Sequence, residues 1–550
     1  MAKTTTGSER VVPGQQPPAG KLRPLSMRLV RPAVEHWQFT IVVAAAVVMR
    51  IIVVLGYPPV FWFSDSYNYI YDAVTHVPDT ARPNGYPFLL DLLLPLHSDY
   101  AIGLIQAAMG LAIGIAIYAL LRHRGLPWWG AALPAVPVLF DAYELHLEHM
   151  VTADPLFIFL VTIAVVILCW SDRPSVWTVA VAGLLVGYAT LVRSVGEPLL
   201  AVVLVGMLFR RVGWHRIVTL VVAGIVPIGA YMIWFHSYWG QYALTESGGF
   251  LYSRVSTFAQ CSKMNVPPLD AYLCDPTKPA DRPPAGEYIW ADNEQLPYWL
   301  HPGNSKYYTP LYNYYGSDTS LRFTPVVSAQ LQEFAERAIE DQPMAYVRVV
   351  IDDTLHTFGW TRQPDPNDWY GNGPDFRYVD AHQMNQAIPW YATPYRIPGN
   401  DEYQLHSSTE TWCDAKCQKG DVQAAVIQQA ERDFGGGSLG FTAADQPWAQ
   451  LLQNYQRYVF LSGTILGVVM LIGFAGVLAR VRRWGGVGLL PWLVGALLIV
   501  LPPMTAGFSY RYVLASVPVA CLAAGLAFTR APGGRSARTM VADLRRAIRR

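Results

Sequence analysis

Charge is what this chain has least of. Only 15% of its 550 residues are Asp, Glu, Lys or Arg, where a soluble globular protein carries about 25%. The deficit comes from long runs with no ionisable side chain, such as Phe39 to Val48 and Tyr458 to Ala479. This excludes an ordinary soluble enzyme. There is also no P-loop and no Gly-x-Gly-x-x-Gly after a strand, so nothing marks a nucleotide site or nucleic-acid chemistry. No internal repeat of fixed period and no low-complexity tract occurs. The net charge of +1 decides little, because its distribution matters more than its sum.

What is present is apolar sequence in blocks: 52% of the residues are hydrophobic. The bilayer core requires about 20 apolar residues per helix. On that measure about ten candidate spans are read, at 37–56, 100–121, 126–141, 154–170, 176–192, 196–209, 217–236, 457–479, 486–501 and 512–529. The expected fold is therefore mainly α, a polytopic transmembrane helical bundle. Basic residues orient it by the positive-inside bias. Lys21, Arg28 and Arg31 of the arm, Arg122 and Arg124, Arg210 and Arg211, Arg482 and Arg483, and the Arg-rich tail all fall on one side. Both termini are then expected in the cytoplasm, with the protein in the plasma (inner) membrane. The arm is too polar and the first span too long for a cleaved signal peptide.

The layout that follows is a cytoplasmic basic arm (1–36), an N-terminal membrane module (37–236) with an outer loop at 57–99, an inserted extracytoplasmic domain (237–456), C-terminal membrane helices (457–529) and a basic tail (530–550). The insert is expected to be mixed and loop-rich, with a helix over Val326 to Glu340, a break at Gln342-Pro343 and a helical pattern resuming at Met344. The basic amphipathic tail could lie on anionic inner-leaflet lipid. Four of the six cysteines, Cys261, Cys274, Cys413 and Cys417, lie in the insert. An even number outside the cytoplasm points to disulfides, with Cys261–Cys274 and Cys413–Cys417 the expected pairing among three. Free thiols or a metal site stand as the alternative.

The chemistry-bearing residues cluster at outer ends of spans. Asp65, in Phe63-Ser64-Asp65-Ser66-Tyr67-Asn68-Tyr69, can serve as a general base, bind a divalent cation or simply cap the helix that follows. Arg50 sits inside an apolar span, where a charge needs a partner or a polar cavity. Arg193 and Arg511 lie at outer ends against the positive-inside bias, and guanidinium binds phosphate bidentately. Arg193 also has Glu197 one turn away. A second polar group, Glu144, His146, Glu148, His149 and Asp154, can hold a metal or supply an acid or base, or can cap a helix end. Asp154-Pro155 fits an N-cap followed by Pro at the first helical position.

Arg50, Asp65, Tyr69 and Asn84-Gly85-Tyr86-Pro87, then Asp154-Pro155-Leu156-Phe157 and Arg511-Tyr512, occur in an order and topology that resemble the GT-C glycosyltransferases, in particular the protein O-mannosyltransferase and aminoarabinose-transferase branch. The resemblance covers the membrane part. It departs at Asp65-Ser66, where protein O-mannosyltransferases carry an Asp-Glu pair. The resemblance implies inverting transfer of a monosaccharide from a polyprenyl-phosphate donor to an extracytoplasmic glycan, lipid or protein. Asp65 would be the base, with Asp154 and Glu148 positioning hydroxyls. Arg511, Arg193 and Arg50 would hold the donor phosphate, and Tyr69, Tyr86 and His149 would meet the sugar or acceptor. A divalent cation at Asp65, Asp154 and His149 is left open. The alternatives are a transporter or flippase of a lipid-linked sugar, disfavoured by charges gathered at helix ends rather than at mid-membrane, and a non-catalytic protein whose insert binds envelope polymer. Convergence of Asp65, Asp154 and Arg511 on one outward-facing cavity is the discriminator: without it the enzyme reading fails and the binding reading gains.

Overall fold

The computed structural model describes residues 35–282, 323–360, 442–480 and 486–529, together with positions 284–286, 288, 378, 395–396, 403–404, 429–430 and 432–435. The Cys413–Cys417 pair, the basic arm and the basic tail lie outside the described residues.

The described chain is mainly helical. Its elements are α1 (Trp37–Gly56), α2 (Ser64–Thr75), α3 (Gly85–Leu93), α4 (Asp99–His123), α5 (Trp128–Phe140), α6 (Ala142–Glu148), α7 (Asp154–Trp170), α8 (Val176–Val192), α9 (Leu199–Phe209), α10 (Trp214–Trp239), α11 (Gly248–Ser256), α12 (Pro325–Asp341), α13 (Pro343–His356), α14 (Trp448–Tyr455), α15 (Gly463–Leu478), α16 (Leu489–Thr505) and α17 (Tyr510–Ala527). A two-residue antiparallel pairing, Tyr395–Arg396 with Tyr403–Gln404, is the only ladder among the described residues.

Five helices, Trp37–Gly56, Asp99–His123, Trp214–Trp239, Gly486–Thr505 and Tyr510–Ala527, are long and apolar enough to cross a membrane. The other five expected spans are apolar helices too, but of 10–17 residues. Length is therefore the measure on which those five stop short. Breaks explain part of this. Prolines interrupt α5 at its centre, and Pro198 precedes α9. Serine caps start several of these helices: Ser175 accepts the Thr178 N–H and Ser462 that of Ile465. Gly240, in the left-handed region at φ 74°, ends α10 by returning its N–H to His236.

One continuous apolar core runs from Phe39 in α1 to Leu526 in α17. Within it α8 packs on α7 and α10, α4 on α7, and α17 on α16, while α17 meets α15 in a second cluster around Leu466, Met470, Val517 and Cys521. At Gly85 the start of α3 meets the end of α8 so closely that a Cβ would lie 2.4 Å from the Leu191 carbonyl oxygen, and the Tyr188 hydroxyl donates to Gly85 at 2.8 Å. This contact sets α3 and the turn before it beside Arg193.

Beyond α10, α11 packs on α12 around Tyr252, Val255, Leu331 and Phe334. The expected helix over 326–340 is α12, and the break at Gln342-Pro343 and the resumed helix α13 are also as expected. Cys261 and Cys274 form the expected disulfide. The guanidinium of Arg282 donates to the Ser256 and Ala259 carbonyls at 2.8 Å each, and Arg254 and Asp353 form a buried ion pair. The far end of this region returns to the bundle. The Ala443 N–H donates to Pro58 and that of Asp445 to Gly56, both at 2.8 Å, and α14 packs on α1.

Candidate functional site: two carboxylates and three arginines

Segments far apart in sequence deliver charge to one point. Asp65 stands in the first turn of α2, Asp154 opens α7, Arg193 follows the last residue of α8, Arg511 is the second residue of α17, and Arg82 comes from the turn before α3. All five side chains meet. Arg511 Nε and Nη2 donate to Asp154 Oδ2 at 2.9 and 2.7 Å, while Nη1 and Nη2 reach Asp65 Oδ2 at 3.3 Å each. Arg193 Nη1 donates to the other oxygen of Asp154. Arg82 Nη2 donates to Asp65 Oδ1 at 2.6 Å and its Nη1 lies 3.9 Å from Asp79 Oδ2. The Thr152 hydroxyl accepts from Arg511 at 2.9 Å and donates to Asp154 at 2.8 Å.

Local structure explains the aim of each group. The Ser66 hydroxyl accepts the Phe63 N–H at 2.9 Å and donates to the Val151 carbonyl at 2.6 Å. The start of α2 is thus tied to the strand-like segment before α7, where Phe61 and Met150 pair. Asp65 does not cap α2; Phe63 occupies that position. Asp154 likewise is no cap, since Ala153 precedes the helix and the Asp154 carboxylate is given over to Arg193, Arg511 and Thr152. The Phe63 ring lies 4.6 Å from the Arg511 guanidinium carbon and the Tyr512 ring 5.1 Å from that of Arg193, a placement that favours a desolvated cation.

The site is buried: Arg511 is 3% exposed, Asp154 2% and Asp65 7%. Burial drives the Asp65 carboxyl upward, but Arg82 and then Arg511 outweigh it and hold the group below the usual carboxylate range. Asp65 is therefore an anion at neutral pH. Burial and the Asp65 charge push the neighbouring Tyr69 hydroxyl upward, so it stays a neutral phenol. Asp79 is raised, chiefly by burial, with Arg82 opposing.

Several expected site residues lie elsewhere. Arg50 does not join the arginines. Its Nη2 donates to Glu148 Oε1 at 2.7 Å, and its Nη1 to the Ala46 and Leu139 carbonyls at 3.1 Å each. The charge inside α1 thus has its partner within the bundle, and neither Arg50 nor Glu148 reaches the cluster. Burial, partly offset by Arg50, pushes Glu148 up to about 7. A methyl group on Gly110 would overlap Glu148 Oε1, at 1.7 Å. His149 turns its Nε2 to the Tyr57 carbonyl at 2.8 Å, and burial pushes its ring down to about 4. The expected cation set of Asp65, Asp154 and His149 is not assembled, and among the described residues no group of three His, Cys, Asp or Glu is placed to hold a metal. Both carboxylates face guanidiniums, which would repel a cation. Tyr86 gives its hydroxyl to Gln106 Oε1 at 2.8 Å, and its ring meets Tyr69 edge-on at 5.2 Å. Arg193 pairs with Asp154.

Arg82 and Asp79 escaped the sequence reading. The signal was available, because Arg82 lies in the loop 57–99 that the charge bias assigns to the same side as Arg193 and Arg511. Comparison of the chain with protein-family models, with curated proteins and with solved structures finds no match. Fold and site together define a mainly helical protein with apolar helices able to span a membrane and a buried arginine–carboxylate cluster at one end of the bundle.

Proposed function

We propose that the protein is an inverting membrane glycosyltransferase of the GT-C kind. It spans the plasma membrane about ten times, with cytoplasmic termini and the large insert outside. It moves a monosaccharide from a polyprenyl-phosphate donor to an extracytoplasmic acceptor. The observation that supports this reading is that Arg511 contacts Asp65 and Asp154 together, with Arg193 alongside. A guanidinium pair fixed by one carboxylate suits a phosphate leaving group, and an ionised Asp beside it suits a base.

Asp65 accepts the proton of the acceptor hydroxyl as that oxygen bonds to the anomeric carbon. The bond from that carbon to the phosphate oxygen breaks, and the electron pair leaves with the polyprenyl phosphate. Arg511 and Arg193 stabilise the charge that develops there. The unequal contacts of Arg511 support one order of events. It holds Asp154 at 2.7 Å and Asp65 at 3.3 Å, so a phosphate drawing on Arg511 loosens Asp65 first. Losing that charge interaction raises the basicity of Asp65 when the donor is in place. Asp154 is then a positioning residue for two arginines, not a ligand of the sugar.

The test is a panel of polyprenyl-phosphate sugars offered to the purified protein, with Asp65→Asn beside the wild type. Donor-dependent transfer or hydrolysis by the wild type and its loss in the folded variant are expected. Transfer at near wild-type rate in Asp65→Asn sinks the assignment.

A further inference from the structure

Helix α13 turns an apolar stripe outward, flanked by exposed Arg348 and Asp352. Val350, Asp353 and Thr357 are buried beneath it. Its opposite side presents Met344, Val347, Ile351 and Leu355, which are 75, 42, 50 and 62% exposed. Their spacing of three, four and four residues is one continuous stripe on a helix. Trp360, just beyond, is 65% exposed.

The preceding helix shows what water selects in the same region. One residue, Gln342, separates α12 from α13, yet beyond the exposed Val326 in its first turn the exposed positions of α12 include Glu333, Glu336 and Glu340. The environment of the outward face therefore changes between consecutive helices.

Anchoring contacts place α13 across the end of the bundle. The Tyr346 hydroxyl donates to the Met504 carbonyl at 3.0 Å, at the end of α16. At the other end, the Thr464 hydroxyl donates to the Phe358 carbonyl at 2.8 Å, and a Cβ on Gly463 would lie 2.0 Å from the Thr357 oxygen. The helix thus bridges the C-terminal end of α16 and the N-terminal end of α15, lying over their ends rather than beside them. His356 meets Phe508 edge-on at 5.1 Å, so this is the end of the bundle that carries Arg511. The helix that starts where α13 ends also turns apolar side chains outward. Ile465, Val468 and Leu471 of α15 are 42, 50 and 67% exposed, on a helix with no charged side chain between Gly463 and Leu478.

We infer that α13 is an interfacial helix, with Met344, Val347, Ile351 and Leu355 immersed in the bilayer at its boundary with the headgroups, beside the Arg511 end of the bundle. The occupant is lipid because α13 is tied to the ends of two apolar helices, one of which turns Ile465, Val468 and Leu471 outward with no charged side chain along it. Arg348, exposed at the edge of the stripe, is placed to meet headgroup phosphate, and Trp360 to sit at the interface where aromatics collect. The insert is then seated in the membrane surface rather than held above it, which restricts how α13 can move relative to the candidate site. This inference stands on the membrane reading and not on the proposed transfer chemistry.

The experiment is collision accessibility of nitroxide labels on the full chain in lipid nanodiscs. Single cysteines replace Met344, Val347, Ile351 or Leu355 in turn, with Glu336 as the water-facing control. All four stripe positions should collide with oxygen more than with a water-soluble nickel chelate, and Glu336 the reverse. Stripe positions that favour the nickel chelate overturn the inference. Positions shielded from both also overturn it, because protein and not lipid then covers the stripe. A second measurement needs no substitution. Photoactivatable lipid incorporated with the wild-type protein should crosslink to peptides from 343–356 and not to those from 325–341. The opposite pattern, or no crosslink to either, counts against it.

Discussion

Replacing Asp154 by Asn would expose what this carboxylate does. In the wild type its two oxygens are divided, one taking Arg193 and the other Arg511 and Thr152. Asparagine offers one acceptor, and its amide nitrogen brings donors against the remaining guanidinium. Two cations are then left side by side without their shared counter-charge. Arg511 is 3% exposed at its side chain and cannot escape to water; Arg193, at 17%, recovers some hydration. Removing one partner of a buried ion pair costs about 3–5 kcal/mol. Two unit charges about 4 Å apart at an effective dielectric of about 20 interact with about 4 kcal/mol, so the two routes agree on scale. A loss of about 3–5 kcal/mol in unfolding free energy is therefore expected, read by denaturant titration of the detergent-solubilised protein. The double variant Asp154→Asn with Arg193→Gln removes one of the stranded cations. It should recover part of the loss, with a coupling of about 1–3 kcal/mol. If Asp154→Asn costs less than about 0.5 kcal/mol, or the two changes add within that margin, Asp154 is not the counter-ion of an arginine pair.

The pH dependence of Asp65 has a defined sign. Its folded pKa is depressed by Arg82 and Arg511 against burial, so the anion is present above the ordinary value of about 3.9 and is lost only as pH falls through the lower folded value. The acid limb of kcat/KM, which reports the free protein, should lie below the ordinary carboxylate range, and Arg82→Gln should move it upward; an unshifted limb in that variant removes Arg82 from the site. Glu148→Gln leaves Arg50 unpaired inside the bundle and should cost about 3–5 kcal/mol, whereas Arg50→Met with Glu148→Leu together should come out closer to wild type; equal losses in unfolding titrations would contradict this. Replacing Cys261 and Cys274 by Ser opens a closure with a sequence separation of 13, for which loop entropy gives about 3 kcal/mol. Faster proteolysis of the α11–α12 region reports it, and unchanged proteolysis means the disulfide constrains nothing there.

Much of the plan was legible from composition. Apolar runs locate all ten expected helices of the bundle because lipid demands continuous apolar side chains, and that pattern is local. The span count was not legible in the same way: five of those helices fall short in length, two of them beside prolines that interrupt or precede the helix. The pairing Cys261–Cys274 was readable because it is short-range. The break at Gln342-Pro343 was readable because proline cannot continue the preceding helix.

The site divides along a different line. Arginine placed against the positive-inside bias, as with Arg193 and Arg511, is visible one residue at a time, as is the carboxylate of Asp65 at the head of a loop helix, and these residues meet. What sequence cannot display is which carboxylate answers which arginine, since that is settled by how helices cross. Arg50 and Glu148 were expected in the site too, but Arg50 Nη2 donates to Glu148 Oε1 instead, with Arg50 Nε and Glu148 Oε2 left buried without a hydrogen bond. Arg82 was overlooked because Pro83, Asn84 and Gly85 made its segment read as a turn, although the turn is what turns its guanidinium back toward Asp65. The distinction has a chemical consequence. Asp65 is shared between a firm contact from Arg82 at 2.6 Å and a long one from Arg511 at 3.3 Å, whereas Asp154 has only close partners. A carboxylate that can lose one cation without losing both can change its basicity while keeping its position, and of the two that describes Asp65 alone.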